Sequence, residues 1–251
     1  AEEYDPGRKN GNWYKLKLNL VQKLVLNKWK DPIGGDIKLI ASGSAPLQTR
    51  LLRLFTAAKM PIVEGYGLTE TSPVLTFNDI RNNELKIGTV GKPIQGVEIK
   101  IAEDGEILCK GPNIKKGYFK DPELTENAMS GEFFHTGDIG IIDDDGFLKI
   151  TDRKKQIFKT SGGKYIAPQV IENKMKRSPF IEQIMVIGEG EKMPSALIQP
   201  DFEYVRNWLL KNKSTFSDDL KNICTNDDLL LKIELEINKI NEEFGDWERI
   251  K

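Results

Sequence analysis

Apolar residues recur at helical spacing near the start of the chain, at Trp13, Leu16, Leu20, Leu24 and Trp29, and Asp31-Pro32 predicts the stop. The run from Ile37 to Ala41 reads as a short buried strand feeding Ser42-Gly43-Ser44-Ala45-Pro46-Leu47. Pro46 suits a first helical turn, and Leu47, Leu51, Leu54 and Phe55 predict one helix face. Pro61 to Glu64 reads as a second strand, running into a glycine loop at Gly65-Tyr66-Gly67. Strand, helix, strand and loop in succession predict an α/β layout, with ligand-binding loops at the strand C-termini.

From Gly88 to Ile150 the period falls to two. Val97 to Ile101 alternates, Asp104-Gly105 turns, and Glu106 to Lys110 returns; Ile139 to Ile142, Asp145-Gly146 and Phe147 to Ile150 repeat the design. Asp121-Pro122-Glu123 predicts a capped helix through Met129. Residues 88–150 therefore read as a small, mostly antiparallel β unit.

Beyond Lys155, Pro168 opens a helix carrying Val170, Ile171 and Met175. Ile184 to Ile187 and Ala196 to Ile198 read as strands, and Asp201 caps a helix with Val205, Trp208 and Leu209. Residues 227–244 carry an amphipathic stripe of Leu229, Leu230, Ile233, Ile237, Ile240 and Phe244, expected to pack on the sheet of a small α+β domain. Seventeen of the 22 glycines lie between Gly34 and Gly163, which sets a turn-rich region before a helical one.

Composition narrows the functional classes. Lys and Arg total 37 against 38 Asp and Glu, so no net basic field points to nucleic acid. Cys109 and Cys224 are too few for a disulfide scaffold or a cysteine zinc site, and the single histidine, His135, argues against a His-rich metal centre or a Ser-His-Asp triad. Cys109 reads as an apolar filler and His135 as structural. No window offers a membrane span, and no apolar targeting segment opens the chain, so a cytoplasmic protein is expected.

Four clusters carry the candidate chemistry: Ser42 to Leu47, Gly65 to Thr71, Thr136-Gly137-Asp138, and Thr151 to Pro168. Any one alone reads as a turn, a polar loop or a solvated charge run. In this order they resemble the adenylate-forming family of acyl-CoA synthetases, luciferases and peptide-synthetase adenylation domains. Gly65-Tyr66-Gly67-Leu68-Thr69-Glu70-Thr71 is similar to its adenine and phosphate motif, Thr136-Gly137-Asp138 to its ribose motif, and Asp152-Arg153-Lys154-Lys155 to its hinge. The stretch from Phe158 to Pro168 most resembles bacterial long-chain fatty acyl-CoA ligases.

The resemblance implies the back portion of a large adenylate-forming domain over residues 1–154, with an α/β part at 1–87 and a β unit at 88–150. A small lid domain would follow at 155–251. It implies ATP, magnesium and coenzyme A as co-substrates, with a fatty acid as the acyl donor. Glu64, Gly65, Tyr66 and Gly67, with Gly43, Ser44 and Ala45, would line the nucleotide and acyl channel; the family often has glycine where this chain has Ser44.

Tyr66 would stack on adenine, with core packing as the alternative role for its ring. Thr69 would donate to the α-phosphate, and Glu70 is a hard oxygen ligand suited to magnesium. Asp138 would accept from ribose hydroxyls, and Arg153 would donate to ribose or phosphate. Lys155 would mark the hinge about which the lid turns between half-reactions, Gly162 and Gly163 a loop near pantetheine, and Lys159 a lysine near the active centre in the thioester-forming pose.

The expected reaction is ATP-dependent formation of acyl-AMP followed by transfer to coenzyme A. Loading of a carrier-protein phosphopantetheine, and a catalytically inactive nucleotide- or acyl-binding module, remain alternatives. The chain begins at Ala1 rather than methionine. No Ser/Thr/Gly-rich phosphate loop is found, and the family's late lid lysine would lie beyond Lys251. A truncated lid and a piece inactive in isolation are therefore expected. Long-chain acids partition into lipid, which makes peripheral membrane contact a further expectation, while chain length and oligomeric state are unreadable.

Overall fold

A computed structural model describes residue 4 and residues 11–81, 84–212, 214, 216 and 219–251. The chain is α/β and divides into two units, Ala1–Ile150 and Thr151–Lys251, each with its own apolar clusters. Among the described residues no helix is long and apolar enough to cross a membrane.

The first unit opens with α1 (Asn12–Leu24), β1 (Ile40–Ser42), α2 (Thr49–Ala57), β2 (Ile62–Gly67), β3 (Val74–Phe77) and β4 (Lys92–Pro93). β1 and β2 are parallel, with α2 as the crossover; β2–β3 and β3–β4 are antiparallel. Local structure departs from the sequence pattern in several places. α1 ends at Leu24, and Trp13, Leu16, Leu20 and Leu24 face outward, while Gln22 turns inward to donate to the Ala57 carbonyl at 2.7 Å. β1 is shorter than expected and only partly buried, because it lies at the end of its sheet with β2 as its partner. α2 begins at Thr49, past Pro46, and buries Leu52 and Ala57 while Leu51 is exposed.

Gly65-Tyr66-Gly67 is not a loop but the end of β2, and the chain turns only after Leu68. Gly67 is required there: a Cβ would lie 1.6 Å from the Pro73 carbonyl oxygen. Gly91 meets the same limit, since its φ is +86° and a Cβ would lie 2.0 Å from the Phe77 carbonyl carbon.

The remainder of this unit comprises β5 (Glu98–Ile101), β6 (Glu106–Lys110), α3 (Pro122–Asn127), β7 (Met129–Ser130), β8 (Phe133–Ile142) and the start of β9 (Leu148–Arg153), whose last three residues belong to the second unit. They form a sheet of order β5-β6-β8-β7, with β9 also pairing β8. The Asp104-Gly105 turn forms as expected, and Asp121 caps α3 by accepting from the Leu124 amide. Inward residues of this sheet, Ile107, Cys109, Phe134 and Leu148, close over Tyr66 and Leu75, so β2 and the antiparallel sheet share one core. Burial pushes the Cys109 thiol up to about 12, as suits an apolar filler.

The second unit contains β10 (Phe158–Lys159), β11 (Tyr165–Ile166), α4 (Pro168–Met175), β12 (Ile181–Ile187), β13 (Ser195–Pro200), α5 (Phe202–Lys211), α6 (Leu220–Cys224) and α7 (Asp227–Asn241). The sequence pattern missed the β10–β11 hairpin and α6. β12 and β13 pair antiparallel, and Asp201 caps α5 through the Tyr204 amide. Ile237, Ile240 and Phe244 pack with Ile184 and Val186 of β12 and with α4, while Leu229 and Ile233 enter a second cluster with Val205 and Leu209. Leu230 is the member of the stripe left exposed.

Candidate functional site

In the first unit the loop after β1 lies against the end of β2. A Cβ on Gly43 would sit 3.5 Å from the Gly65 carbonyl oxygen, and the Leu47 amide donates to Glu64 Oε1 at 3.4 Å. Burial holds the Glu64 carboxyl above its ordinary range, with the Leu47 amide pulling the other way. Ser44 has φ +66°, the left-handed region that glycine enters without steric cost.

Tyr66 is 8% exposed and belongs to the core, so packing accounts for its ring. Its hydroxyl donates to Asp138 Oδ2 at 2.7 Å across 72 positions of sequence. Burial, then the Asp138 charge, pushes the Tyr66 phenol well above its ordinary value, so it stays a donor at working pH. Asp138 is itself buried, with Oδ2 committed to Tyr66.

The stretch of β8 carrying Asp138 is fastened independently. The Thr136 hydroxyl donates to the Ile107 carbonyl at 2.7 Å and accepts from the Asp138 amide at 3.1 Å. The Gly137 amide donates to Glu106 Oε1 at 2.9 Å. Buried Glu106 also contacts His135 Nδ1 at 2.9 Å, and His135 Nε2 lies 2.7 Å from the Ser130 hydroxyl. His135 is thus structural, as its sequence context suggested.

After β2 the turn Thr69–Thr71 is held by buried Thr71. Its hydroxyl accepts from the Leu68 amide at 2.9 Å and donates to the Pro73 carbonyl at 2.6 Å. Thr69 is exposed and Glu70 half-buried. The Tyr118 hydroxyl donates to Glu70 Oε1 at 3.2 Å, leaving Oε2 without a partner among the described residues. No group of three or more His, Cys, Asp or Glu among the described residues is arranged to hold a metal.

In the second unit the candidate residues lie on turns or at strand ends. Arg153, Lys155, Lys159, Gly162 and Gly163 are all exposed. Amides of Gln156 and Ile157 return to the Arg153 carbonyl at 2.9 and 3.2 Å, so Lys155 sits inside a hydrogen-bonded turn. Gly162 and Gly163 form the tip of the β10–β11 hairpin, closed by the Gly163 amide on the Thr160 carbonyl at 2.9 Å, with Gly163 at φ +78°. Lys159 lies beside this tip: a Cβ on Gly163 would be 3.7 Å from its Cε. Buried Asp152 accepts from the Gln169 amide at 3.2 Å, tying the strand end to the start of α4.

Sequence reasoning missed Glu106 and Tyr118. Each matters through a partner 31 or 48 positions away, a pairing that spacing along the chain does not signal.

The family model described as AMP-binding enzyme matches residues 14–119, and that of the AMP-binding enzyme C-terminal domain matches residues 155–251. The chain belongs to the AMP-binding enzyme family. It is 38% identical over 237 residues to the long-chain-fatty-acid–CoA ligase FadD15 of Mycobacterium bovis, covering 94% of this chain and 39% of that protein. It is 36% identical over 247 residues to long-chain-fatty-acid–CoA ligase 6 of Homo sapiens, covering 91% of this chain and 35% of the relative. The chain therefore spans well under half the length of these curated relatives. Among solved structures it is similar to the o-succinylbenzoate CoA synthetase of Bacillus subtilis in complex with its acyl-adenylate intermediate. That likeness has 25% identity and a TM-score of 0.62, and covers 83% of this chain and 48% of the other.

Proposed function

We propose that the protein activates a long-chain fatty acid with ATP and passes the acyl group to coenzyme A. A carboxylate oxygen of the acid attacks the α-phosphorus, and the bond to the β-phosphate breaks, releasing pyrophosphate. The coenzyme A sulfur then attacks the acyl carbon, the bond to AMP breaks, and the thiol proton passes to solvent. The observation that carries this reading is the buried Tyr66–Asp138 bond, which fixes an acidic acceptor at the end of β2 beside the loop of Gly43. Asp138 accepts from ribose, with Tyr66 holding it in place. Exposed Thr69 donates to the α-phosphate, where negative charge accumulates as the fifth bond forms.

Glu70 fits magnesium as a single hard oxygen donor with Oε2 open, the usual complement when substrate phosphates and water supply the other ligands. Magnesium, when bound there, offsets phosphate charge. In the second unit, Arg153 serves as a guanidinium donor to phosphate or ribose, Lys159 as a second cation, Lys155 as the point of backbone freedom, and the Gly162-Gly163 tip as a low-bulk path for pantetheine. The reading places the protein in the cytoplasm, with peripheral contact at membranes where long-chain acids partition.

The test is fatty-acid-dependent exchange of labelled pyrophosphate into ATP by the full protein, followed by acyl transfer to free coenzyme A or to a phosphopantetheinyl carrier. Acid-dependent exchange with coenzyme A as acceptor is the expected result. Exchange that is absent, or transfer confined to the carrier, overturns the reading.

A further inference from the structure

Glu70 is gripped by a segment that the proposed chemistry does not use. The Lys115 amide donates to the Glu70 carbonyl at 2.8 Å, and the Tyr118 hydroxyl donates to Glu70 Oε1 at 3.2 Å. Main chain and side chain of the same glutamate are thus held by residues three positions apart. Tyr118 is fixed in turn. Its amide donates to the Thr125 hydroxyl at 2.8 Å, and the Lys115 ammonium sits over its ring, 2.6 Å from the centroid. That ammonium is buried without a hydrogen-bond partner among the described residues, and the ring of Phe134, 4.9 Å away, offers it a second aromatic face. A buried cation met only by aromatic faces is costly unless the rings are rigidly placed. The Asn113 amide group completes the attachment, donating to the Thr71 and Val74 carbonyls, each at 2.8 Å.

We propose that Tyr118 is a positioning residue for Glu70: its hydroxyl takes one carboxylate oxygen and leaves the other to ligate magnesium. This rests on the reading of Glu70 as the magnesium ligand. A freely rotating half-buried carboxylate would offer magnesium either oxygen in several rotamers. A donor fixed on one oxygen removes that freedom before the cation arrives, which is how outer partners of metal ligands act. Lys115 contributes as the anchor of the Tyr118 ring and does not itself touch the ligand.

The experiment measures ATP binding to the full protein by calorimetry as magnesium is varied, with AMP binding in parallel and the melting temperature as a control. Tyr118→Phe keeps the ring under the Lys115 ammonium and removes only the hydroxyl. It is expected to raise the magnesium concentration at half-maximal ATP binding about 10-fold. AMP affinity, which needs no bridging of β- and γ-phosphates, should move less than about 2-fold, and the melting temperature should hold. Glu70→Gln should raise the same half-point further, and the double variant should add little to Glu70→Gln, because the hydroxyl acts only through that carboxylate.

If Glu70→Gln leaves the half-point unchanged, the magnesium reading of Glu70 fails and this inference fails with it. If Glu70→Gln shifts it while Tyr118→Phe does not, or if the two effects add in full, the positioning role alone is overturned. Equal loss of AMP and ATP binding in Tyr118→Phe also overturns it, since that pattern marks a general structural role.

Discussion

The two units treat their candidate residues in opposite ways. In the first, Tyr66, Asp138 and the Glu70 turn are wired into the core. Tyr66 packs with Leu75, Ile107 and Phe134, and its hydroxyl closes a buried bond to Asp138. In the second, Arg153, Lys155, Lys159, Gly162 and Gly163 stand exposed on turns and at strand ends. A group that must present one fixed geometry to a nucleotide gains from rigid surroundings. A group that serves more than one step gains from standing clear of the core. The consequence is that substitutions at Tyr66 and the backbone beside it damage fold and site together, while those at the exposed residues of the second unit separate the two.

The largest expected effect is at Gly67. Gly67→Ala would drive a Cβ to 1.6 Å from the Pro73 carbonyl oxygen, a clash of backbone with backbone that no rotamer relieves. Urea unfolding should show a loss of about 3 kcal/mol or more. A variant with unchanged stability would mean that the close approach of β2 to the Pro73 turn is absent, and with it the rigid framing of Glu70.

Next comes Tyr66→Phe. The ring and its packing survive, but the Tyr66 hydroxyl bond to buried Asp138 Oδ2 is removed. Losing a hydrogen bond to a charged group costs about 1.5–3 kcal/mol, measured by the same unfolding curves. A loss near zero would show that the Tyr66 bond does little to hold Asp138, and the contrast between the two units would weaken.

Much of the fold was legible because it rests on local signals. Asp104-Gly105 specifies a hairpin by its own backbone preferences, Asp121 and Asp201 cap by reaching three residues ahead, and the stripe from Leu229 to Phe244 needs only helical periodicity. The failures share a cause. The residues Trp13, Leu16, Leu20 and Leu24 have the right spacing for a packed face yet point outward, since periodicity names a face but not what covers it. Gly65-Tyr66-Gly67 looked like a loop because glycine signals turns, whereas here Gly67 admits a neighbouring backbone and the strand continues. The site motifs were visible by family resemblance, but the bonds Tyr66–Asp138, Glu106–Gly137 and Tyr118–Glu70 are products of tertiary approach.

A smaller, pH-dependent effect is expected at Glu64. Burial raises its folded-state value above the ordinary 4.5, so the folded chain holds the proton more tightly than the unfolded one. Stability from this group is present below pH 4.5 and is lost as pH rises through the folded value, beyond which the buried charge is a full burden. Glu64→Gln keeps an oxygen to accept from the Leu47 amide and removes the charge. Its melting temperature should exceed that of the parent at pH 8, and the gap should close as pH falls below 4.5. A gap that is constant with pH would remove the burial argument.

The smallest expected effect on stability sharpens the contrast most. Lys159→Ala removes an exposed side chain whose ammonium lies 5.4 Å from the exposed Tyr165 ring, while the Gly190 amide bonds to the Lys159 carbonyl at 2.9 Å. Alanine keeps that carbonyl. The variant should therefore unfold within about 0.5 kcal/mol of the parent. Acyl-CoA formation under the proposed reading should nevertheless fall, and Lys159→Ala should spare pyrophosphate exchange while slowing transfer to coenzyme A. That split is unavailable to any first-unit substitution that also opens the core. A Lys159→Ala variant that lost exchange and transfer in equal measure would place the lysine in the adenylation step. One that destabilised the chain by as much as Tyr66→Phe would show that the exposed turns of the second unit are as much a part of its fold as Tyr66 is of the first.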